Sequence, residues 1–279
     1  MLEFTDTHCH IHEAIKTPGG DNFLFEKWQA AGITDPKILV QEAADAGVTK
    51  LLIVGNTLAD SKLAVDFVQG QPNCWATIGI HPHESAGHSS EEMLEEFAAL
   101  AAKPKIVAIG ECGLDYYYNH SPQATQREVF EFQLKLAQKH DLPLVFHVRD
   151  GNSSFEAAFE DFFAILDRFQ GIRGVVHSFT ANQDVLDKCL SRGLYIGLNG
   201  IMTFTKNDEQ LAAAKAVPLS KLLLETDAPF LTPTPYRGTI CQPKHVCATA
   251  EFLSNLRGES LQQLALATTH NAKALFTLD

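Results

Sequence analysis

Eight short apolar runs, separated by longer stretches whose apolar residues recur every three or four positions, limit what this chain can fold into. The runs are LEFTDTHCH, KLLIVG, CWATIGI, KIVAIGE, LPLVFH, GVVHSF, LYIGLN and KLLLETD. Between them, PKILVQEAADAGV, LADSKLAVDFVQ, SSEEMLEEFAALAA, SPQATQREVFEFQLKLAQKH and NSSFEAAFEDFFAILDRF carry the helical period. Ser89 and Ser90 ahead of Glu91 and Glu92, and Asn182 ahead of DVLDKCL, supply the side-chain acceptors that helix starts need. Strands alternating with helices build parallel βα units. Eight such units predict an α/β fold, a closed parallel (β/α)8 TIM barrel. No low-complexity linker divides the 279 residues, and 45% hydrophobic content is enough for one large core, so a single domain over residues 1–279 is expected.

The polar residues fall where such a barrel would gather them. In FTDTHCHIHE, Asp6, His8, His10 and His12 would share one strand face while Thr7, Cys9 and Ile11 share the other, although His12 falls past the expected strand end. His8 and His10 end the first run, His81 and His83 follow the third, and Glu111 follows the fourth. His147 and Arg149 end the fifth, His177 ends the sixth, and Asp227 ends the eighth. The C-terminal strand ends of a parallel barrel surround one cavity, and reactive groups collect there. Imidazole and carboxylate ligands without thiolate suit zinc, manganese or a similar divalent ion. A carboxylate can bridge two ions, and Glu111 is the natural bridge. Two ions about 3.5 to 4 Å apart stabilise both the attacking and the leaving oxygen of a displacement, so the expected chemistry is hydrolysis.

Charge and cysteine content exclude other classes. Lys and Arg total 22 against 34 Asp and Glu, a net charge of −12, so no basic envelope exists to hold nucleic acid and a polyanionic substrate must be attracted locally. The N-terminus lacks a basic segment followed by an apolar one, and no apolar run reaches the roughly 20 residues that cross a bilayer. A soluble cytoplasmic protein with no membrane partner is expected, and no obligate protein partner can be inferred. The six cysteines form no C-x-x-C pair and read as reduced thiols. Cys241, His245 and Cys247 lack a fourth zinc ligand at ordinary spacing, so they read as loop and helix residues.

The blocks DTHCH, IGECGLDYYY, FHVRD, VHSF and LLLETDAP, in this order over essentially the whole chain, resemble the TatD-like deoxyribonucleases among the amidohydrolase-type metal-dependent hydrolases. The resemblance implies a barrel hydrolase with two divalent ions (Zn, Mn, Mg, Ni or Co) that cuts DNA phosphodiester bonds in the manner of a 3′-to-5′ exonuclease. It implies one ion among His8, His10, Glu111 and Asp227 and another among Glu111, His147 and His177. Glu111 and Asp227 would also serve the attacking water, and His81 resembles a substrate-facing histidine of the family. Asp6 is expected either to orient an imidazole or to be a buried, capped carboxylate. Arg149 is placed to reach a phosphate; Arg237 keeps the family's R-G pair, although Cys241 stands where an asparagine is common. The implied partner is DNA, as single strands or 3′ ends, or another phosphoester. Two alternatives come from other classes. One is an amide, lactone or ester hydrolase of the same barrel type, which often has a carbamylated lysine where this chain has Glu111. The other is a non-catalytic metal-binding or nucleic-acid-binding protein.

IHEAIKTPGGDNFLFEKWQAAGITDP, after the first strand, reads as an extended loop over residues 12–35 carrying Phe23, Phe25 and Trp28. A connection of this length is usually functional. It is expected to be a lid or base-stacking platform over the mouth, or else a segment whose aromatics pack it onto neighbouring helices.

Overall fold

The computed structural model describes residues 2–15, 22–87, 91–151 and 157–278. Strands β1 (Phe4–Cys9), β2 (Val48–Val54), β3 (Cys74–Ile78), β4 (Ile106–Asp115), β5 (Leu144–Arg149), β6 (Gly174–Val176), β7 (Tyr195–Leu198) and β8 (Leu222–Leu224) pair in sequence order, every neighbour parallel. The end of β8 returns to β1: the Asp227 amide donates to the His8 carbonyl and the His10 amide to the Ala228 carbonyl, each at 2.8 Å. The sheet is thus a nearly closed barrel, the (β/α)8 architecture expected from the alternating pattern.

Around it lie α1 (Phe23–Ala30), α2 (Pro36–Asp45), α3 (Leu58–Gln69), α4 (Glu91–Ala101), α5 (Gln123–His140), α6 (Ala157–Leu166), α7 (Gln183–Ser191), α8 (Asp208–Ala216), α9 (Val246–Arg257) and α10 (Leu261–Phe276). Their starts follow local chemistry. Asp35 accepts from the Lys37 amide with Pro36 in the first turn, Asn182 accepts from the Val185 amide as predicted, and Ser260 and Gln263 form a reciprocal capping box. The caps expected at Ser89 and Ser90, and the NSSF start of the fifth helical stretch, lie outside the described residues.

Strand alternation separates two cores. Leu51 and Ile53 of β2 face the helices in the large outer core, whereas Leu52 joins Trp75, Val107, Val145, Val175 and Leu223 inside the barrel floor. Ala272, Leu275 and Phe276 of α10 close that floor. The opposite, C-terminal end is left for polar side chains. Among the described residues, no helix is long and apolar enough to cross a membrane.

Three boundaries differ from the sequence reading. β6 and β8 are short, because the ladder stops at Val176 and Leu224, so His177 and Asp227 sit on loops beyond them. β4 is long and carries Glu111 within it. Gly113 permits this: at φ +141° with its α-carbon pressed on β5, it leaves no room for a Cβ, which would overlap the His147 carbonyl oxygen. The connection after β1 is also not an extended loop. Ile11–Ala14 form a 3-10 turn, and α1 forms because Leu24 and Trp28, four residues apart, bury one helical face. Residues 16–21 between them lie outside the described residues.

Candidate metal centre

β1 delivers His8 and His10 from one face into the C-terminal mouth, and their Nε2 atoms stand 3.2 Å apart. His10 Nδ1 lies 2.8 Å from the Val54 carbonyl oxygen, an acceptor only, so Nδ1 carries a proton and Nε2 is the nitrogen turned toward Asp227 and Glu111. Asp227 Oδ1 lies 3.7 Å from His8 Nε2 and 3.5 Å from His10 Nε2. Asp227 takes a left-handed backbone, φ +62°, which an Asp side chain tolerates better than most. Its amide bond to His8 and the Phe230 amide on its own carbonyl, both 2.8 Å, hold it there.

Glu111 lies between two sets of imidazoles. Its Oε2 is 3.3 Å from His8 Nε2 and 4.0 Å from His10 Nε2. Its Oε1 is 2.7 Å from His147 Nδ1, 3.0 Å from His177 Nε2 and 3.4 Å from His81 Nε2. The structure therefore brings His8, His10, His81, Glu111, His147, His177 and Asp227 to one cavity. Burial alone would raise Glu111, but His177, His81 and His8 hold it well below the usual carboxylate range. Burial opposes protonation of His10, yet the adjoining Asp227 and Glu111 raise it to about 9. Burial lowers His81 to about 4, against the opposing pull of Glu111.

The donor set fits divalent cations. Two ligands about 2.1 Å from a tetrahedral ion lie roughly 3.4 Å apart. The separations of His8 from His10 (3.2 Å), His8 from Glu111 (3.3 Å) and His10 from Asp227 (3.5 Å) match that spacing. His8, His10 and Asp227 form one cluster of converging donor atoms, and His81, Glu111 and His147 another. The 2.7 Å contact of Glu111 with His147 is a hydrogen-bond distance, so these two bind each other directly.

Supporting residues lie a layer further out. His147 Nε2 meets Asp115 Oδ2 at 2.9 Å, and His177 Nδ1 meets Glu225 Oε1 at 3.3 Å, the carboxylate–imidazole pairing that fixes ring orientation in metal sites. Neither carboxylate was singled out from the sequence. Glu225 sits two residues before Asp227 in LLLETD and Asp115 four after Glu111 in ECGLD, spacings that were available as a signal. Of the two readings of Asp6, the structure fits the buried, capped carboxylate and not the group that orients an imidazole: among the described residues it touches no imidazole ring. Its Oδ1 accepts from the Thr226 amide (2.9 Å) and the His8 amide (3.2 Å), and its Oδ2 from the Thr226 hydroxyl (2.6 Å). Asp6 lies one pleat deeper than His8, too short to reach the ring and well placed to tie β1 to the segment carrying Asp227. Burial pushes its carboxyl up to about 8, against these hydrogen bonds.

The remaining candidates are dispersed. Arg149 stands exposed at the end of β5 over Tyr117 and Tyr118. Arg237 is exposed on the loop after β8, its Nη1 donating to the Thr232 carbonyl at 2.7 Å and its guanidinium lying over Phe204. His83 pairs with Asp115 at 3.0 Å and buried His12 with Asp60 at 2.7 Å. Cys241 is buried, its amide bonded to the Pro229 carbonyl, while His245 Nδ1 accepts from the Gln242 amide.

Comparison with known proteins agrees with this geometry. A family profile described as TatD related DNase matches residues 5–277. The chain is 37% identical over 249 residues to the 3′-5′ ssDNA/RNA exonuclease TatD of Citrobacter rodentium (strain ICC168), covering 88% of this chain and 92% of that protein. It is 34% identical over 276 residues to the uncharacterized metal-dependent hydrolase YabD of Bacillus subtilis (strain 168), covering 98% of this chain and 99% of that protein. Among solved structures, the TatD homolog YJJV from Escherichia coli K12 matches with a TM-score of 0.83 at 26% identity, over 99% of this chain and 98% of that chain. The chain belongs to the TatD-related DNase family of metal-dependent hydrolases.

Proposed function

We propose that this chain, as one catalytic unit over residues 1–279, is a two-metal phosphodiesterase that removes nucleotides from the 3′ end of single-stranded DNA. The observation carrying the reading is the division of Glu111: one oxygen faces His8 and His10, the other His147, His177 and His81. The relatives named as 3′-5′ ssDNA/RNA exonucleases support the substrate class and the polarity.

His8, His10, Glu111 and Asp227 would hold one ion, and Glu111, His147 and His177 the other. When bound, the ions supply positive charge against the phosphate oxygens and acidify water at neutral pH. Two divalent charges would outweigh the two ligand carboxylates of Glu111 and Asp227, which would let the ion-facing side of the pocket attract a phosphate within a chain of net charge −12. The Asp227 carboxylate, at the open side of the centre, accepts the proton of the attacking water. His81 Nδ1 accepts a hydrogen bond from the His83 amide at 3.1 Å, which leaves its proton on Nε2. That N–H donates to a phosphate oxygen. Asp6 and Thr226 hold the segment that presents Asp227, and Arg149 and Arg237 offer guanidinium edges to flanking phosphates.

The test is digestion of 3′- and 5′-labelled single- and double-stranded DNA by protein reconstituted separately with zinc, manganese, magnesium, nickel and cobalt, beside an ester and lactone panel. Stepwise shortening from the 3′ end, lost in Glu111→Ala, is expected. Faster turnover of a lactone or ester than of any oligonucleotide would overturn the reading, and cleavage surviving in Glu111→Ala would identify a contaminating nuclease.

A further inference from the structure

Two ring-and-cation patches at the barrel mouth are left unused by the metal centre. On one side, Phe23 of α1 and Phe230 of the loop after β8 lie near-parallel, 16° apart with centroids at 6.5 Å, and Lys27 Nζ is 5.2 Å from the Phe230 centroid. Phe23 is 58% exposed. On the other side, Tyr117 and Tyr118 of the turn after β4 are 39% and 49% exposed, with the Arg149 guanidinium 4.5 and 4.9 Å from their ring centroids. His120 stacks on Tyr118 at 5.8 Å and 13°. From His120 a file of rings leads inward through His83 (4.6 Å), His81 (4.4 Å) and His147 (4.5 Å) to Glu111.

Strand order places the patches. In a closed barrel of order β1 to β8, β8 adjoins β1, while β4 and β5 lie across the axis from them. The Phe23–Phe230 patch and the Tyr117–Tyr118–Arg149 patch therefore face each other with Glu111 and Asp227 between. Scattered exposed rings need no explanation, but each of these combines a second ring with a cation, the pairing that binds a nucleobase and its phosphate together. A duplex hides its base faces in its own stack, whereas a single strand presents them.

We infer that the two patches are base-stacking platforms on opposite sides of the scissile phosphate, so that the substrate is a single strand threaded across the mouth with one base on each. This rests on the phosphodiesterase reading above. It adds that cleavage depends on a base, not only a phosphate, on both sides of the broken bond. Because every base has a stacking face, the platforms are tolerant of sequence.

The test measures kcat and KM of the metal-loaded protein on end-labelled single-stranded oligonucleotides, intact or with one abasic residue stepped through the last four positions. Wild type is compared with Phe23→Ala/Phe230→Ala and with Tyr117→Ala/Tyr118→Ala, and Leu266→Ala, exposed on α10, serves as surface control. In wild type, abasic residues on either side of the scissile bond should raise KM about 5- to 150-fold. Each double variant should raise KM on the intact strand by a similar factor and lose the abasic penalty on one side only, the two variants on opposite sides. An unchanged wild-type KM on abasic strands, a full abasic penalty persisting in both variants, or both variants losing it on the same side would overturn the inference. The wild-type arm needs no substitution, so an unfolded variant does not rescue it. Wild type cutting no oligonucleotide at all would instead remove the phosphodiesterase reading, and the platforms with it.

Discussion

Gly197 leaves the space that Glu225 fills: a Cβ built on Gly197 of β7 would overlap Oε2 of the buried carboxylate. Glu225 in turn accepts from the Ser178 amide at 2.6 Å and lies 3.3 Å from His177 Nδ1, so the missing side chain on β7 governs the orientation of an imidazole on the loop after β6. Gly197→Ala should cost about 1–3 kcal/mol through overpacking. It should also weaken metal binding about 10- to 100-fold, the usual consequence of disturbing a group that orients a ligand. Thermal unfolding of the metal-free protein and calorimetric metal titration separate the two effects. Gly70→Ala, where a Cβ meets nothing within 4 Å, is the matched control and should change neither. Wild-type metal affinity in Gly197→Ala would sink the proposed link.

The connection after β1 tests whether α1 is a movable lid. Trp28 is fully buried, and its indole N–H donates to the His10 carbonyl at 3.3 Å, so α1 is pinned to a residue of the centre itself. Trp28→Ala should cost about 3–5 kcal/mol. Trp28→Phe keeps a six-membered ring but removes both the donor and part of the indole volume, so it should cost more than one hydrogen bond, about 0.5–1.5 kcal/mol, and less than Trp28→Ala. Native-state hydrogen exchange should show amides 24–30 opening together with β1. Exchange of α1 much faster than β1 would mean a lid, and would leave the Phe23 platform without a rigid base.

How much of this was legible in the sequence depends on what kind of contact carries each feature. The barrel was, because eight apolar runs and their spacing are properties of single segments. So was the convergence of His8, His10, Glu111, His147, His177 and Asp227, since strand ends of a parallel barrel have nowhere else to go. The limits of β6 and β8 were not: GVVHSF and KLLLETD run on past Val176 and Leu224 without a glycine or proline to mark the end, because pairing is decided by the neighbouring strand. Asp6 was legible only as two alternatives, since alternation specifies its face and not the pleat depth that sends its carboxylate to Thr226 and makes it the buried, hydrogen-bonded one. Glu225 and Asp115 stand at same-face spacings from Asp227 and Glu111, but that spacing does not say which imidazole each one orients. The α8, α9 and α10 segments went unread because small and polar residues interrupt their apolar faces, as in DEQLAAAKA and VCATAEFLSNLR.

A separate prediction concerns acid. His245, at the start of α9, accepts the Gln242 amide on Nδ1 at 3.1 Å. Burial, with Lys244 adding to it, pushes its pKa down from 6.5 to about 4. Between these values the unfolded chain binds more protons than the folded one, so stability rises with pH across the window. This contribution is complete above pH 6.5 and is lost as pH falls through 4. His245→Asn retains an acceptor but does not titrate. It should abolish on the order of 1–2 kcal/mol of the acid loss. Urea midpoints at pH 7 and pH 4.5, taken in EDTA so that metal release contributes nothing, provide the check. An unchanged difference between the two pH values in His245→Asn would place the acid sensitivity elsewhere.

Metal removal distinguishes a shared carboxylate from two independent sites. Ions that bind only the folded chain stabilise it by about 2.7 kcal/mol each at a hundred times the dissociation constant. For a chain of this size that is about 5–11 °C in Tm per ion, all of it lost in EDTA. Glu111 has one oxygen toward His8 and His10 and the other toward His147 and His177, so Glu111→Gln should abolish nearly the whole metal-dependent shift. Asp227 Oδ1 is turned toward His8 and His10, so Asp227→Asn should remove about half and leave the rest. The comparison uses the shift between metal-loaded and EDTA-treated samples of each variant, because either substitution also alters the metal-free Tm by relieving or creating charge among the imidazoles. Equal losses in the two variants would mean that both ions depend on Asp227, or that only one ion binds; a half-sized loss in Glu111→Gln would remove it from its place between the two sets.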